Sequence, residues 1–238
     1  MALEKLLPED GKIVVIPMDD GMLDGPVGGL VDMPGKVKQI VEGGADAILG
    51  FLGVYKQCKD HLKKTKFVLN VTASTKYSMN PQEKVQLYDV SQAVDLGING
   101  IAVHVNVGSV HLHDQLQILG RVAADCTKYK IPLLAIAYPR GEMMREDGLV
   151  EGTIYAARMA AEAGADIVKT KYTGSVETFR QVIEGCPVPV IMAGGPKIPE
   201  DQILANIENC MTIGRNSFHH ENTTEFVRKV YGIVHNKQ

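Results

Sequence analysis

Two lysines follow an apolar segment in the run Gly164-Ala-Asp-Ile-Val-Lys-Thr-Lys-Tyr-Thr-Gly174, at positions 169 and 171. A lysine buried at a strand end is costly to keep charged, so its pKa falls and its free amine can attack a ketone to form an imine. Lys169 and Lys171 share a parity, so strand alternation does not separate them. Lys169 is closer to the strand and is expected to lie deeper, whereas a solvated position past the strand end suits Lys171 better.

Three aspartates lie close together in the early segment Pro17-Met-Asp-Asp-Gly-Met-Leu-Asp-Gly-Pro26. They invite a metal site, but such cations usually take several oxygen ligands from surrounding turns, and no second acidic cluster follows the other predicted strands. We therefore predict no metal. Asp20 and Asp24 are interpreted as turn or helix-capping residues, and Asp20 stays a candidate substrate contact. Asp19 comes directly at a strand end and is the better candidate for proton transfer.

Further candidates follow two other apolar segments. Tyr138 could donate a proton if its neighbours supply a basic partner or a cationic environment, because its unperturbed pKa is about 10. Alternatively it is a core residue, and Arg140 is either a substrate contact or a surface ion-pair residue. Pro139 and Gly141 enforce a turn there in either case. Among the seven histidines, none has a metal-binding spacing, and His104 is the one expected to line a pocket.

Glycines follow the last two predicted strands, in Ala193-Gly-Gly-Pro-Lys197 and Ile213-Gly-Arg-Asn216. Glycine lets backbone N–H groups approach an oxyanion closely, and the ends of strands seven and eight are the recurrent phosphate position in barrel enzymes. A plain turn explains either segment alone, but not easily both at matched positions. The predicted phosphate-binding residues are Gly194, Gly195, Gly214 and Arg215.

The candidate residues are spaced along eight short apolar runs, each leading through a turn into a helix-like stretch, as in βα units. The predicted strands are Ile13–Met18, Ala47–Phe51, Phe67–Val71, Gly100–Val105, Leu133–Ala137, Asp166–Lys169, Pro189–Ala193 and Met211–Gly214. The predicted helices are Pro34–Glu42, a short one in Tyr55–Lys64, Pro81–Leu96, Ser109–Tyr129, Leu149–Ala163, Ser175–Ile183, Pro199–Asn209 and Thr223–His235.

Eight evenly spaced units favour a closed α/β barrel over an open doubly wound sheet, which usually has fewer strands and a reversal of strand order. We therefore predict a single (β/α)8 TIM barrel over residues 1–238. In such a barrel the chemistry belongs on loops at the carboxyl ends of the strands. The candidate residues all fall at such ends.

The composition limits the kind of partner. Twenty-five basic and 28 acidic side chains give a net charge of −3, so no global field recruits nucleic acid or an anionic membrane, and a small-molecule substrate is expected. The four cysteines have neither disulfide-framework nor zinc spacing and are interpreted as reduced, mostly buried thiols. Neither a secretion signal nor an apolar run of the roughly 20 residues that span a bilayer occurs, which predicts a cytoplasmic protein.

Six motifs occur in order at predicted strand ends: Pro-Met-Asp-x-Gly (17–21), His-Val-Asn-Val-Gly (104–108), Tyr-Pro-Arg-Gly (138–141), Asp-Ile-Val-Lys-Thr-x-Tyr-Thr-Gly (166–174), Ala-Gly-Gly-Pro-Lys (193–197) and Gly-Arg-Asn (214–216). Together they resemble the archaeal-type class I aldolase family, which includes the relatives of deoxyribose-phosphate aldolase and archaeal fructose-bisphosphate aldolase. The resemblance implies an imine on Lys169, proton transfer by Tyr138 and Asp19, and phosphate binding by the glycines and Arg215. It also implies a homo-oligomer that needs no cofactor.

Within that family the chain is most similar to enzymes that transfer a fragment of a ketose phosphate to L-aspartate semialdehyde, in a route to aromatic amino acids. The fructose-bisphosphate branch commonly has tryptophan two residues before the tyrosine, where this chain has Ile136. Asp20 stands where the family usually has histidine, an excursion after strand two is missing, and the segment between strands seven and eight is short. A fructose-1,6-bisphosphate aldolase and a non-catalytic sugar-phosphate-binding barrel remain the alternatives.

Overall fold

The computed structural model describes residues 2–145, 148–193 and 220–236. The strands, in chain order, are β1 (Val15–Pro17), β2 (Ala47–Gly50), β3 (Lys66–Asn70), β4 (Thr72–Ala73), β5 (Val85–Gln86), β6 (Gly100–Asn106), β7 (Leu133–Tyr138), β8 (Ile167–Lys171) and β9 (Val190–Ala193). Seven of them form one parallel sheet in the order β1-β2-β3-β6-β7-β8-β9, and β4 and β5 form a small antiparallel hairpin. Neighbours in the large sheet are therefore neighbours along the chain, apart from the hairpin inserted after β3.

Helices lie between the strands, as expected where parallel strands need crossover connections. They are α1 (Asp20–Asp24), α2 (Met33–Glu42), α3 (Leu52–Cys58), α4 (Val90–Asp95), α5 (Leu112–Tyr129), α6 (Leu149–Glu162), α7 (Val176–Gly185) and α8 (Thr223–Val234). No helix in the described part of the chain combines the length and the apolarity needed to cross a bilayer.

The sheet is buried on both faces, which explains the nearly continuous apolar strands. On one face, Val15 and Leu49 belong to an inner cluster. This cluster also contains Leu6, which directly follows the 3-10 turn Ala2–Lys5. On the other face, Ile16 and Ile48 pack in the larger cluster beneath the helices. Alternate residues of each strand therefore enter two different packed layers.

Polar side chains at the amino ends of strands fix the register of the strand before them. The carboxylate of Asp46 accepts a hydrogen bond from the Val14 N–H at 2.7 Å, and that of Asp166 accepts one from the Leu133 N–H at 2.8 Å. Asn99 performs the same role through its side-chain carbonyl. These contacts satisfy backbone donors that the parallel ladder leaves unpaired.

The structure confirms the parallel α/β fold and the first seven predicted strands within one or two residues at most ends. The predicted eighth strand, Met211–Gly214, and the predicted helix Pro199–Asn209 lie outside the described residues. The second predicted helix, within Tyr55–Lys64, begins earlier, at Leu52, and continues as a 3-10 turn to His61.

The predicted helix Pro81–Leu96 is wrong in its first half. Residues 81–88 instead contain β5, which pairs with β4, and α4 begins only after Asp89. Asp89 and Gln92 form a capping box that fixes this start; the box satisfies the free N–H groups of the first turn. The backbone carbonyl of Gln82 also accepts hydrogen bonds from the side chains of Asn106 and Gln115. Tertiary contacts thus hold this segment extended.

Three cysteines lie in the described residues, at positions 58, 126 and 186, and all are buried and unpaired. Burial raises the pKa of the Cys58 thiol to about 11 and that of Cys126 to about 12. They are therefore protonated, unreactive core residues, as predicted.

Candidate active site

An open cleft lies at the carboxyl ends of the strands. It brings together seven residues singled out from the sequence: Asp19, Asp20, His104, Tyr138, Arg140, Lys169 and Lys171. They come from the ends of β1, β6, β7 and β8, or from the loops that follow them. These side chains were predicted to lie together at the carboxyl ends of the strands, and the structure brings them together there.

Lys169 occupies the interior of the cleft. It lies on β8 between Ile136 of β7 and Ile191 of β9, and the residue is 9% exposed. Its amine makes no hydrogen bond or ion pair with any described residue. Lys171, two residues further on, is half-buried, so the predicted order of depth is correct. A buried amine without a carboxylate partner has the surroundings that a nucleophilic lysine needs.

Asp19 is held by a chain of hydrogen bonds that begins on β3. The Asn70 amide donates to the Asp19 carboxylate at 2.9 Å, and the Asn70 side-chain carbonyl accepts from the backbone N–H and the hydroxyl of Thr72, each at 3.1 Å. The Thr72 hydroxyl also accepts from the His104 backbone N–H at 2.8 Å. Because Asn70 is 2% exposed and bonded on both sides, it fixes one oxygen of the Asp19 carboxylate, and Asp19 lines the cleft.

His104 and Tyr138 are in contact across β6 and β7. Their rings meet edge to face with centroids 5.0 Å apart. His104 Nε2 lies 3.1 Å from the side-chain carbonyl of Asn106, whose amide donates to the Gln82 backbone carbonyl. This orients Asn106 as an acceptor, so Nε2 carries the proton and Nδ1 is left as an acceptor. Burial, followed by the charges of nearby cations, holds the pKa of His104 well below its usual value, and the ring is neutral.

Arg140 is positioned by the loop after β7. Its guanidinium lies 5.2 Å from the centre of the Tyr138 ring, where a cation is attracted by the ring face. The Gly108 N–H donates to the Arg140 carbonyl at 3.0 Å. Gly141 has a φ of +130°, and a Cβ there would overlap the backbone of Gly108 and Ser109. Glycine therefore allows two loops to meet at the cleft.

Lys84, which was not singled out from the sequence, also lines the cleft. It precedes β5, is 7% exposed, and donates to the Ser74 hydroxyl at 2.6 Å. Burial, with a further contribution from Arg140, lowers the pKa of Lys84 to about 8, and Asp19 partly opposes this shift. The incorrect helix prediction hid this residue, because a lysine between Glu83 and Val85 reads as solvent-exposed in a helix.

Asn70, Thr72 and Ser74 are the other polar residues of the cleft that the sequence interpretation missed. Asn70 did carry a signal, since a polar side chain at the end of an apolar strand marks the catalytic face of a barrel. Thr72 and Ser74 carried none, because their role depends on the hairpin.

The acidic loop is divided by the structure. Asp20 lies in the first turn of α1 and lines the cleft, whereas Asp24 ends that helix, is exposed and does not line it. Within the described ranges, no group of three metal-ligating side chains occurs.

The predicted phosphate residues Gly194, Gly195, Gly214 and Arg215 lie outside the described residues. Ala193, the last residue of β9, lines the cleft immediately before them.

Residues 13–220 match the family model of the DeoC/LacD family aldolases. The chain belongs to this aldolase family. It is 33% identical over 234 residues to the 2-amino-3,7-dideoxy-D-threo-hept-6-ulosonate synthase of Halobacterium salinarum, covering 95% of this chain and 88% of the relative. The family predicted from the six motifs is confirmed.

Solved aldolase structures are similar to the DeoC/LacD chain along almost its entire length. A Schiff-base-forming fructose-1,6-bisphosphate aldolase superposes with a TM-score of 0.90 at 26% identity, covering 98% of both chains. An archaeal fructose-1,6-bisphosphate aldolase, solved with its catalytic lysine covalently bound to a carbinolamine intermediate, gives a TM-score of 0.90 at 25% identity over 98% of both chains. The prediction of a class I aldolase is confirmed at the level of the enzyme class.

Proposed function

We propose that this aldolase forms an imine between Lys169 and a phosphorylated ketose and transfers the resulting fragment to L-aspartate semialdehyde. The observation that carries the proposal is the buried Lys169 amine, which has no partner among the described residues and shares one cleft with Asp19 and Tyr138. The name of the Halobacterium relative supports the acceptor, since an amino group at C2 of a ulosonate lies beside the carboxylate. An amino-acid aldehyde would supply those atoms.

The reaction would proceed by covalent catalysis. The Lys169 amine adds to the ketone, and the carbinolamine loses water to give a protonated imine, which accepts the electron pair of the breaking C–C bond. The other half of the donor loses its hydroxyl proton and leaves as an aldehyde, so that an enamine remains on Lys169. The enamine then attacks the carbonyl carbon of the acceptor aldehyde, whose oxygen takes up a proton, and water releases the product and restores the amine. Asp19 and Tyr138 are the proposed proton carriers, because both line the cleft and the neutral His104 cannot add a competing positive charge.

The phosphate would bind to the loops after β9 and the predicted eighth strand, through Gly194, Gly195, Gly214 and Arg215. We also propose that residues 1–238 form a single closed eight-stranded barrel. Support comes from α8, whose Thr223 hydroxyl accepts a hydrogen bond from Lys36 of α2 at 2.8 Å. Thr224 donates to the Gln39 carbonyl at 3.1 Å. The last helix thus packs beside the first long one, as closure requires.

Borohydride reduction tests the nucleophile. After incubation with dihydroxyacetone phosphate or fructose 1,6-bisphosphate, borohydride is expected to leave one covalent adduct on Lys169, located by peptide mass spectrometry. Lys84 and Lys171 also line the cleft, so Lys169→Met should abolish the adduct while Lys171→Met keeps it. An adduct on Lys84 or Lys171 alone, or no adduct, would refute the assignment.

Fructose-1,6-bisphosphate cleavage is the second candidate, supported by the similar solved structures. Ile136 lines the cleft and is 2% exposed, at the position where that branch commonly has tryptophan. A coupled assay with fructose 1,6-bisphosphate alone, and then with aspartate semialdehyde added, separates the two reactions. Triose phosphates formed at the same rate in both cases would favour the bisphosphate aldolase, and a new amino-acid product would favour the transaldolase.

A further inference from the structure

Two cations face the cleft from different loops. Lys84 lies in the connection between β4 and β5, directly before β5, and Arg140 lies in the loop after β7. They are close enough for Arg140 to disfavour the charged form of Lys84. Both also disfavour protonation of His104. Two like charges that act on each other inside one cleft raise the free energy of the empty site.

The Lys84 ammonium is poorly compensated by the protein. Among the described residues its one hydrogen bond is to a neutral hydroxyl, that of Ser74, so two of its three donors have no acceptor there. Within the described ranges no carboxylate lies at ion-pair distance from Lys84; Asp19 acts on it only at longer range. Ser74 in turn donates to the Pro81 carbonyl at 3.0 Å, which holds the hydroxyl in place. The site is built to hold a charge that the chain does not neutralise.

An anionic group of a ligand could accept hydrogen bonds from the two Lys84 donors that have no acceptor among the described residues, at a place where Arg140 adds a second positive charge. Lys84 lies in the hairpin inserted between β3 and β6, and Arg140 follows β7, whereas the proposed phosphate loops follow β9 and the predicted eighth strand. In the sheet, β8 with Lys169 lies between β7 and β9. A substrate bound covalently to Lys169 therefore has positive charge available on both sides of the reacting carbon. Lys84 is not part of the proposed phosphate site, so its charge is available for another anionic group.

We propose that Lys84 and Arg140 form a second anion-binding subsite, which binds the negatively charged end of the aldehyde acceptor. The inference rests on the proposed function, in which that end is the carboxylate of aspartate semialdehyde. The guanidinium provides a planar fork that matches a carboxylate or phosphate, and the lysine adds a point charge. The subsite thereby selects charged over uncharged aldehydes.

The test compares acceptors in the complete protein with dihydroxyacetone phosphate as donor: aspartate semialdehyde, glyceraldehyde 3-phosphate and uncharged propanal. Lys84→Met should lower the ratio of kcat/KM for a charged aldehyde to that for propanal by about tenfold to a hundredfold, as expected for the loss of a charge-assisted hydrogen bond. Lys84→Arg should restore most of the ratio. Lys76→Met, an exposed lysine of the same segment, is the matched control and should leave the ratio unchanged.

The unmodified protein offers a second measurement that needs no folded variant. Below pH 8 the Lys84 ammonium is available to bind an anion, and above its pKa of about 8 it loses the proton. The selectivity for charged aldehydes should therefore fall as the pH rises through 8, and using propanal as reference cancels any pH effect that is common to both acceptors. The charged or titratable groups that face Lys84 are Arg140, Asp19 and neutral His104.

The outcomes separate the subsite from the proposed function. A ratio that is unchanged in Lys84→Met and across pH 8, or equal losses with charged aldehydes and propanal, would overturn the subsite. A ratio that falls for glyceraldehyde 3-phosphate alone would support the subsite and identify a phosphate, so that the proposed acceptor would be wrong. Absence of a borohydride adduct on Lys169 would overturn the imine mechanism independently of Lys84.

Discussion

The Asp19 carboxylate depends on a single amide. Asn70 donates to one of its oxygens, and the other side of that amide is fixed by Thr72. A positioned carboxylate transfers protons efficiently only if its orientation is held and its pKa suits the reaction. Asn70 is thus a positioning residue, and its chemistry can be changed almost without changing its shape.

Asn70→Asp places a second carboxylate beside Asp19. Two carboxylates that share a site cannot both ionise easily, so the pair titrates with one pKa raised. If Asp19 accepts a proton in the reaction, the acidic limb of kcat/KM against pH should move to higher pH by about one unit or more. Asn99→Asp makes the same change at the opposite ends of the strands, where Asn99 accepts from the Phe67 N–H, and should not move the limb. An unmoved limb in both variants would show that Asp19 is not the titrating group.

The residues found from the sequence share one property: each lies in the last part of a strand, or in the loop after it, and the apolar run of that strand defines it. Lys169 and Tyr138 were assigned in this way, and both lie in the cleft. Lys84 could not be assigned, because its position depends on hydrogen bonds from Asn106 and Gln115 to residue 82, which are 24 and 33 residues distant along the chain. The periodicity of apolar residues along a segment cannot reveal hydrogen bonds to residues so far away in the chain.

Loops that meet above the sheet form the second level of organisation. Glu142 joins three of them, accepting from the Asn80 amide at 2.7 Å and from the Val110 N–H at 3.1 Å. The Met143 N–H donates to the Gly108 carbonyl at 2.8 Å in the same region. The hairpin that carries Lys84 and the loop that carries Arg140 are therefore fixed relative to each other.

Gly141→Ala tests this arrangement. The added Cβ would overlap the backbone of Gly108 and Ser109 at a φ of +130°, so the two loops must separate and Arg140 must move. We expect the variant to lose at least tenfold in kcat/KM for the charged aldehyde and about 1–3 kcal/mol of unfolding free energy. Gly120→Ala is the matched control, because that glycine lies in α5 with open space around its Cβ position. Alanine there should be neutral or stabilising. Equal behaviour of both variants would contradict a role for the loop contact.

The part of the fold that sequence periodicity predicted well is the alternation of strands and helices, since each unit buries one apolar run. The predicted helix Pro81–Leu96 failed in its first half because distant residues hold that segment extended, and Val85, which is half exposed, belongs to β5. The Asp89–Gln92 capping box was the available signal for the true start. The start of α4 is thus determined by local capping, whereas the hairpin is determined by tertiary contacts.

At the scale of the whole molecule, the two ends of the chain meet at the amino ends of the strands. His235, which directly follows α8, lies with Nδ1 2.6 Å from the Asp10 carboxylate and Nε2 2.9 Å from that of Asp46. Asp46 also accepts from the Val14 N–H. One imidazole therefore links the last helix to the first two strands, opposite the cleft.

His235→Gln tests how much this link contributes to stability. A side chain of similar length cannot reach both carboxylates with two donors at once, and the loss of a largely buried hydrogen-bonded contact should lower the unfolding free energy by about 1–3 kcal/mol at pH 7. His113→Gln, at an exposed position of α5, should be neutral in the same denaturant titration. Kinetic constants should change far less than stability, because His235 lies away from the cleft.

The contact between His235 and Asp10 should make the stability of the protein depend on pH. The hydrogen bond from His235 holds the pKa of Asp10 below its usual value of 3.8, so the folded state binds that proton less readily than the unfolded chain. Stabilisation from this pair is present above the unfolded pKa of 3.8 and is lost as the pH falls through the lowered pKa. The difference in stability between the natural protein and His235→Gln should therefore shrink as the pH falls below 3.8. A difference that stays constant over that range would mean that Asp10 contributes nothing and that His235 acts through Asp46 alone.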